Sequence, residues 1–182
     1  MFVRRALSVW LATLALAATV SAQKRRDYPK PQGWVNDFAA AVRPMAKKRI
    51  TELCSEVNLK THAQIAVVTI ATTEGIPIAD YATGMFNQWG VGHKDDNRGI
   101  LILLAISDHN WRIATGLGFQ TLLSDDRVAG IGAEMVPDLR KGQYSEALLL
   151  ATNEIARIIA TERGIKLSTL DHSSESNLRD RN

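Results

Sequence analysis

The chain has 182 residues, with 22 basic and 19 acidic side chains and a single cysteine, Cys54. One cysteine excludes an internal disulfide or a multi-cysteine zinc site. Six of the 22 basic residues and only one of the 19 acidic ones precede Pro31, so the rest carries 16 against 18; that balance argues against nucleic acid as a partner, which needs a basic face.

In chain order, residues 1–22 read as a secretory signal peptide. Arg4 and Arg5 form a short basic head, residues 6–20 are almost uninterruptedly apolar, and Val20-Ser21-Ala22 is the small-residue pattern cut after Ala22. An apolar run of about 15 residues is short of the roughly 20 that span hydrocarbon as a helix, so no stable membrane anchor is expected after cleavage. The expected location is periplasmic or secreted. Lys24, Arg25 and Arg26 oppose translocation, and Arg4-Arg5 fits a twin-arginine signal only loosely; the general secretory and twin-arginine routes both stay open.

Residues 23–32, with Pro29 and Pro31, read as a polar, extended lead-in. Residues 33–38 mix large apolar side chains with Asn36 and Asp37 and suggest a packed loop. Pro44 suits the first turn of a helix, and Ala46, Ile50, Leu53 and Val57 then line one helical face. Cys54, on that side, is expected to be a small core residue. Residues 64–71 are β-branched and apolar on both faces, as a central strand covered by helices would be. Residues 77–89 place Ile78, Tyr81, Ala82, Met85, Phe86 and Trp89 on one stripe. A polar loop, 92–98, leads to a second buried strand at 100–106. Turn residues 107–110 return the chain as an antiparallel strand at 111–115.

Ser124 or Asp125 can cap the next helix, with Val128, Ile131, Met135 and Leu139 inward. After Gly142 a last helix buries Tyr144, Leu148, Ala151, Ile155 and Ile158 and stops at Gly164. These elements predict one domain, residues 33–164, followed by a polar, disordered tail at 165–182. The fold class is α/β: a three-layer α/β/α sandwich with a mixed central sheet of about four strands.

Most catalytic signatures are absent. No arginine follows Cys54 at six residues, and there is no Gly-Lys-Ser phosphate loop, His-Glu-x-x-His or Gly-x-Ser-x-Gly. Gly116-Leu117-Gly118 lacks the third glycine of a dinucleotide site; its glycines are expected to supply unusual backbone angles as the chain leaves the sheet. His62, His93, His109 and His172 sit apart in the sequence and read as surface residues, with His93 alone considered for proton transfer. The acidic loops are more informative. Asp37, the pair Asp95 and Asp96, and the pair Asp125 and Asp126 are expected to converge at one end of the sheet. Oxygen ligands of that kind suit Ca²⁺ or Mg²⁺.

Several segments together resemble the TPM domain, an exported family found in bacteria and chloroplasts. They are Val35-Asn36-Asp37-Phe38-Ala39, Gln64-Ile65-Ala66-Val67-Val68, Phe86-Asn87-Gln88-Trp89-Gly90-Val91-Gly92 and Asn97-Arg98-Gly99-Ile100-Leu101. Arg112 to Gly118, Met135-Val136-Pro137 and Arg140-Lys141-Gly142-Gln143-Tyr144 continue the series. The resemblance implies an α/β/α sandwich and Ca²⁺ binding by acidic loop residues, here Asp37, Asp95, Asp96, Asn97, Gln120, Asp125 and Asp126. Gln120 stands where many members carry a glutamate, which removes one charge. Many bacterial members also continue into a transmembrane helix and a Gly-rich tail, where this chain has a short polar tail. The expected function is a calcium-binding accessory module in the assembly or maintenance of envelope proteins, its expected partners. The alternative is a metal-dependent acid phosphatase of low or specialised activity, by likeness to the thylakoid-lumen branch. No catalytic residue can be named for it.

Overall fold

The computed structural model describes residues 27–170; the expected signal peptide, Lys24 to Arg26 and His172 lie outside the described residues. Numbered along the chain, the elements are β1 (Val35–Asp37), α1 (Pro44–Thr61), β2 (Gln64–Ile70), α2 (Ile78–Trp89), β3 (Gly99–Ala105) and β4 (Asn110–Thr115). A 3₁₀ turn (Leu117–Phe119), α3 (Asp125–Arg140) and α4 (Tyr144–Arg163) complete the set. The sheet order is β1-β2-β3-β4, the first three strands parallel and β4 antiparallel.

All seven residues of β3 are buried. Their alternation splits the interior in two. Ile100, Ile102 and Leu104 face α1, α3 and α4, while Leu101, Leu103 and Ala105 face α2. The mixed three-layer α/β/α sandwich is therefore as the periodicities imply. Cys54 is fully buried in the larger core, where desolvation pushes its thiol up to about 12. In α4 the buried face is turned slightly from the expected one. Leu148, Ala151 and Ile155 are buried with Ala147 and Ile159, whereas Tyr144 and Ile158 are half-exposed. The helix packs on both α1 and α3, so its core stripe is wide and centred between them.

Residues 33–38 are not simply a packed loop, because Val35–Asp37 pairs with β2 as an edge strand. The polar side chains there serve the backbone. Asn36 is fully buried, accepts from the N–H of Gln32 at 2.6 Å and donates to the carbonyl of Gly33 at 2.9 Å. Asp37 accepts from the N–H groups of Ala41 at 2.9 Å and Val42 at 3.1 Å, and from the Thr69 hydroxyl. These bonds fold the chain into α1, whose first residue is Pro44.

The lead-in is docked. Tyr28 meets Tyr81 edge-on with ring centroids 5.0 Å apart, and the Trp89 indole N–H donates to the Pro29 carbonyl at 2.9 Å. A Cβ at Gly84 would lie 2.0 Å from the Tyr28 hydroxyl, so α2 needs a bare backbone there. Beyond Gly164, the left-handed cap of α4, residues 165–170 also differ from a disordered polar segment. Leu167 and Leu170 are buried, and Glu56 on α1 accepts from the N–H and hydroxyl of both Ser168 and Thr169 at 2.6–3.0 Å.

Two predictions follow from this packing. A Cβ at Gly132 would lie 1.7 Å from the Trp111 ring. Gly132→Ala should therefore lower stability by about 1–3 kcal/mol through overpacking, despite the gain of about 1 kcal/mol in helix propensity. Thermal melting should show the loss, and Trp111→Leu in the same chain should recover part of it.

At Glu56, partial burial pushes the carboxyl up, but the bonds from Lys60, Thr169 and Ser168 outweigh it and hold the group well below its usual 4.5. A depressed folded-state value means the stabilisation is complete above the unfolded value and is lost as pH falls through the folded one. Glu56→Gln should cost about 1–2 kcal/mol at neutral pH, and denaturant unfolding should show the gap to wild type closing progressively below about pH 4.5.

Candidate functional site

The parallel strands run the same way, so the sheet has two distinct ends. The loop carrying Asp95, Asp96 and Asn97 precedes Gly99, which is paired with Gln64 at the start of β2. Its three polar residues are exposed. Asp96 Oδ1 accepts from the N–H of Arg98 at 3.1 Å, the Asn97 N–H donates to the His93 carbonyl at 2.8 Å, and Asn97 is left-handed at φ 51°. The turn after β4 presses on this loop. A Cβ at Gly118 would lie 2.3 Å from the Asp96 carbonyl oxygen, and one at Gly116 would lie 2.1 Å from that of Asn97. Neither glycine has a positive φ, so close approach, rather than an unusual backbone angle, selects them.

Asp37 stands at the other end. It is in register with Thr69, which pairs with Leu104, five positions along β3 from Gly99. At about 3.3 Å per residue that separation is roughly 17 Å. The expected convergence of the acidic loops therefore does not occur. Asp37 ends its strand, whereas Asp95 and Asp96 precede theirs, and parallel pairing sends those positions to opposite ends. Asp37 also spends its oxygens on the turn before α1 and on Thr69. Asp125 and Asp126 occupy the first turn of α3. Ca²⁺ takes six to eight oxygens, and among the described residues no three His, Cys, Asp or Glu side chains group to hold a metal ion. The seven residues do not fit as one cage; the Asp95-Asp96-Asn97 loop is the part that stays together.

Gln120 and Asp125 do come together, in a cleft of about 440 Å³ at the outer edge of β4. Arg112, Ala114 and Thr115 of β4 form its floor, Thr83 of α2 one wall, and Ser124 with Val128 of α3 the other. The hydrogen-bond phase of β4 defines what this edge offers. The Gly116 N–H donates to the Gly99 carbonyl at 2.8 Å and the Ile106 N–H turns the other way, to Ile70 on β2, at 3.0 Å. Alternation then directs the backbone groups of Trp111, Ile113 and Thr115 away from β3. The Trp111 N–H is covered by the Asn110 side chain at 2.9 Å. Ile113 and Thr115 leave their N–H and C=O groups along the cleft.

Arg112 and Thr83 were missed by reasoning that looked for carboxylates. The available signal was Arg112 on a strand with no later strand to pair with among the described residues. His62, His93 and His109 are exposed, as expected, but two of them are not apart. His62 and His93, 31 positions apart in the chain, have ring centroids 6.2 Å apart. His109 lies in the β3–β4 turn at the far end, beside Asp108. The Asp108 carboxyl is lowered by the N–H of Thr73 and the Thr72 hydroxyl, so it serves to tie that turn to the end of β2.

The layers and strand order define an α/β/α domain with a short mixed sheet and one antiparallel edge that no further strand covers among the described residues. The TPM domain matches residues 35–158, and the chain belongs to that family. Solved structures share the fold. The N-terminal domain of a protein from P. gingivalis is 24% identical, with a TM-score of 0.66 over 71% of this chain and 83% of that one. The N-terminal domain of a Corynebacterium glutamicum protein is 15% identical, with a TM-score of 0.56 over 75% and 84%. A protein from the psychrophilic Bizionia argentinensis is 19% identical, with a TM-score of 0.58 over 66% and 82%. No curated protein matches the chain.

Proposed function

We propose that this TPM domain works outside the cytoplasm as a docking module, holding an extended segment of another envelope protein along β4 during that protein's assembly or maintenance. The observation that carries this reading is the free edge at Ile113 and Thr115, set in the cleft of Arg112, Gln120, Ser124 and Asp125. A strand added to a sheet edge gains main-chain hydrogen bonds, and the side chains beside it select the sequence. Arg112 and Asp125 put both signs of charge along the edge, which suits a segment of mixed charge. The apolar run at 6–20 supports a location beyond the membrane. Among the described residues no helix is long and apolar enough to cross one.

Calcium has a smaller part in this reading. Asp95, Asp96 and Asn97 bring oxygen donors to one solvent-facing loop, with water completing the shell. Such open sites bind in the range of about 10⁻⁴–10⁻³ M. The phosphatase alternative rests on the family resemblance. Cys54 is buried as a neutral thiol and Asp37 is bonded to the backbone, so neither supports it.

A photo-reactive side chain placed at Arg112 or at Gln120 should capture exported proteins in cells, and one at exposed Lys48 on α1 should not. Thr115→Pro should abolish the capture without removing a bond to β3, because the Thr115 N–H points away from that strand. No adducts at Arg112 and Gln120, or the same adducts at Lys48, would refute docking on this edge.

Ca²⁺ at about 1 mM should raise the melting temperature of the wild type, with about 0.4–1.4 kcal/mol of added stability for a Kd in that range. The rise should vanish in the Asp95→Ala, Asp96→Ala variant. An equal rise in that variant would remove the loop from consideration. Hydrolysis of an aryl phosphate by both proteins should stay at background.

A further inference from the structure

We propose that His62 and His93 form a surface site for a divalent transition-metal ion, with Zn²⁺ as its representative. Both side chains are exposed. Their ring centroids are 6.2 Å apart and the planes meet at 72°. Zinc–imidazole bonds are about 2.0–2.1 Å long, which puts two ring centroids on one ion about 5–6 Å apart. A small rotation of either side chain closes the difference.

The backbone fixes both residues. His62 is the left-handed cap of α1 at φ 58°, its N–H bonded to the Asn58 carbonyl at 2.9 Å. His93 is held through its carbonyl, which accepts the N–H of Asn97 at 2.8 Å.

Gln64 borders the second ring. Its Oε1 accepts the Gly92 N–H at 2.8 Å, so its amide nitrogen faces His93 Nε2 at 3.4 Å. An amide NH₂ only donates. That amide borders the ring nitrogen an ion would use and has to turn aside for it. A contact of 3.4 Å is long for a hydrogen bond and is given up at little cost. Asp95 and Asp96, two and three residues beyond His93, add negative charge to the same loop, and water fills the remaining positions. Nitrogen ligands select zinc, copper or nickel over calcium, so this site is chemically distinct from an oxygen-lined one.

The test uses the full chain purified without a histidine tag and titrated calorimetrically with Zn²⁺ alone. One equivalent should bind in the micromolar range. His62→Asn, which keeps a residue tolerant of the left-handed conformation, and His93→Ala should each weaken binding by about tenfold or more, since loss of even an outer-shell partner costs that much. His109→Ala, at the far end of the sheet, should bind as wild type does. In the wild type, Zn²⁺ should shift the ring resonances of His62 and His93 and leave those of His109 in place. Absence of micromolar binding overturns the proposal. So does wild-type affinity in both single variants, or ring shifts confined to other histidines.

Discussion

β3 carries seven consecutive buried residues, and a strand of that kind has to be covered on both faces. The rest of the domain answers that requirement. α1, α3 and α4 cover one face and α2 covers the other. The coverage is unequal, because one helix cannot seal a face by itself. Tyr28 and Phe38 therefore join the smaller cluster, and the lead-in becomes part of the structure. The same need explains the far end of the described chain, where Leu167 and Leu170 extend the larger core beyond Gly164.

Packing this tight leaves glycine the only residue that fits at several contacts. Gly132 gives space to the Trp111 indole, Gly84 to the Tyr28 hydroxyl, and Gly116 with Gly118 to the carbonyls of Asn97 and Asp96. The last pair matters most for the surface. By bringing the turn after β4 against the loop before β3, it makes one continuous face from the end of β4 to Asp95, Asp96 and Asn97. Arg98 lies beneath that face, stacked over Phe119 at 4.5 Å and paired with Glu162 at 3.3 Å.

The four helices and β2, β3 and β4 were legible because each writes its period into the sequence. β3 shows an unbroken apolar run, and α1 repeats Ala46, Ile50, Leu53 and Val57. β1 has no such period. It has three residues, and two of them, Asn36 and Asp37, turn back onto their own backbone; from sequence those are loop chemistry. The acidic set failed for a related reason. Aspartates near strand ends can be recognised in a sequence, but which end each occupies depends on strand direction. His62 and His93 became neighbours only through β2 pairing with β3, which sets Gln64 beside Gly99.

An exposed sheet edge invites pairing with other chains, and proteins usually blunt it with charge, bulges or side-chain caps. β4 is blunted at one end and not the other. Near its hairpin, Asn110 covers the Trp111 N–H and Trp111 itself packs against α3 at Gly132. Toward Thr115 the outward groups meet a cleft instead of a cap, and Arg112 supplies the one strand charge. For the docking role proposed above, the guarded half would keep a second copy from extending the sheet along its full length, and the open half would leave room for a short segment. The open half also lies at the end of the sheet that holds the Asp95-Asp96-Asn97 loop, so an ion bound there would alter the charge met by an incoming chain without entering the edge itself.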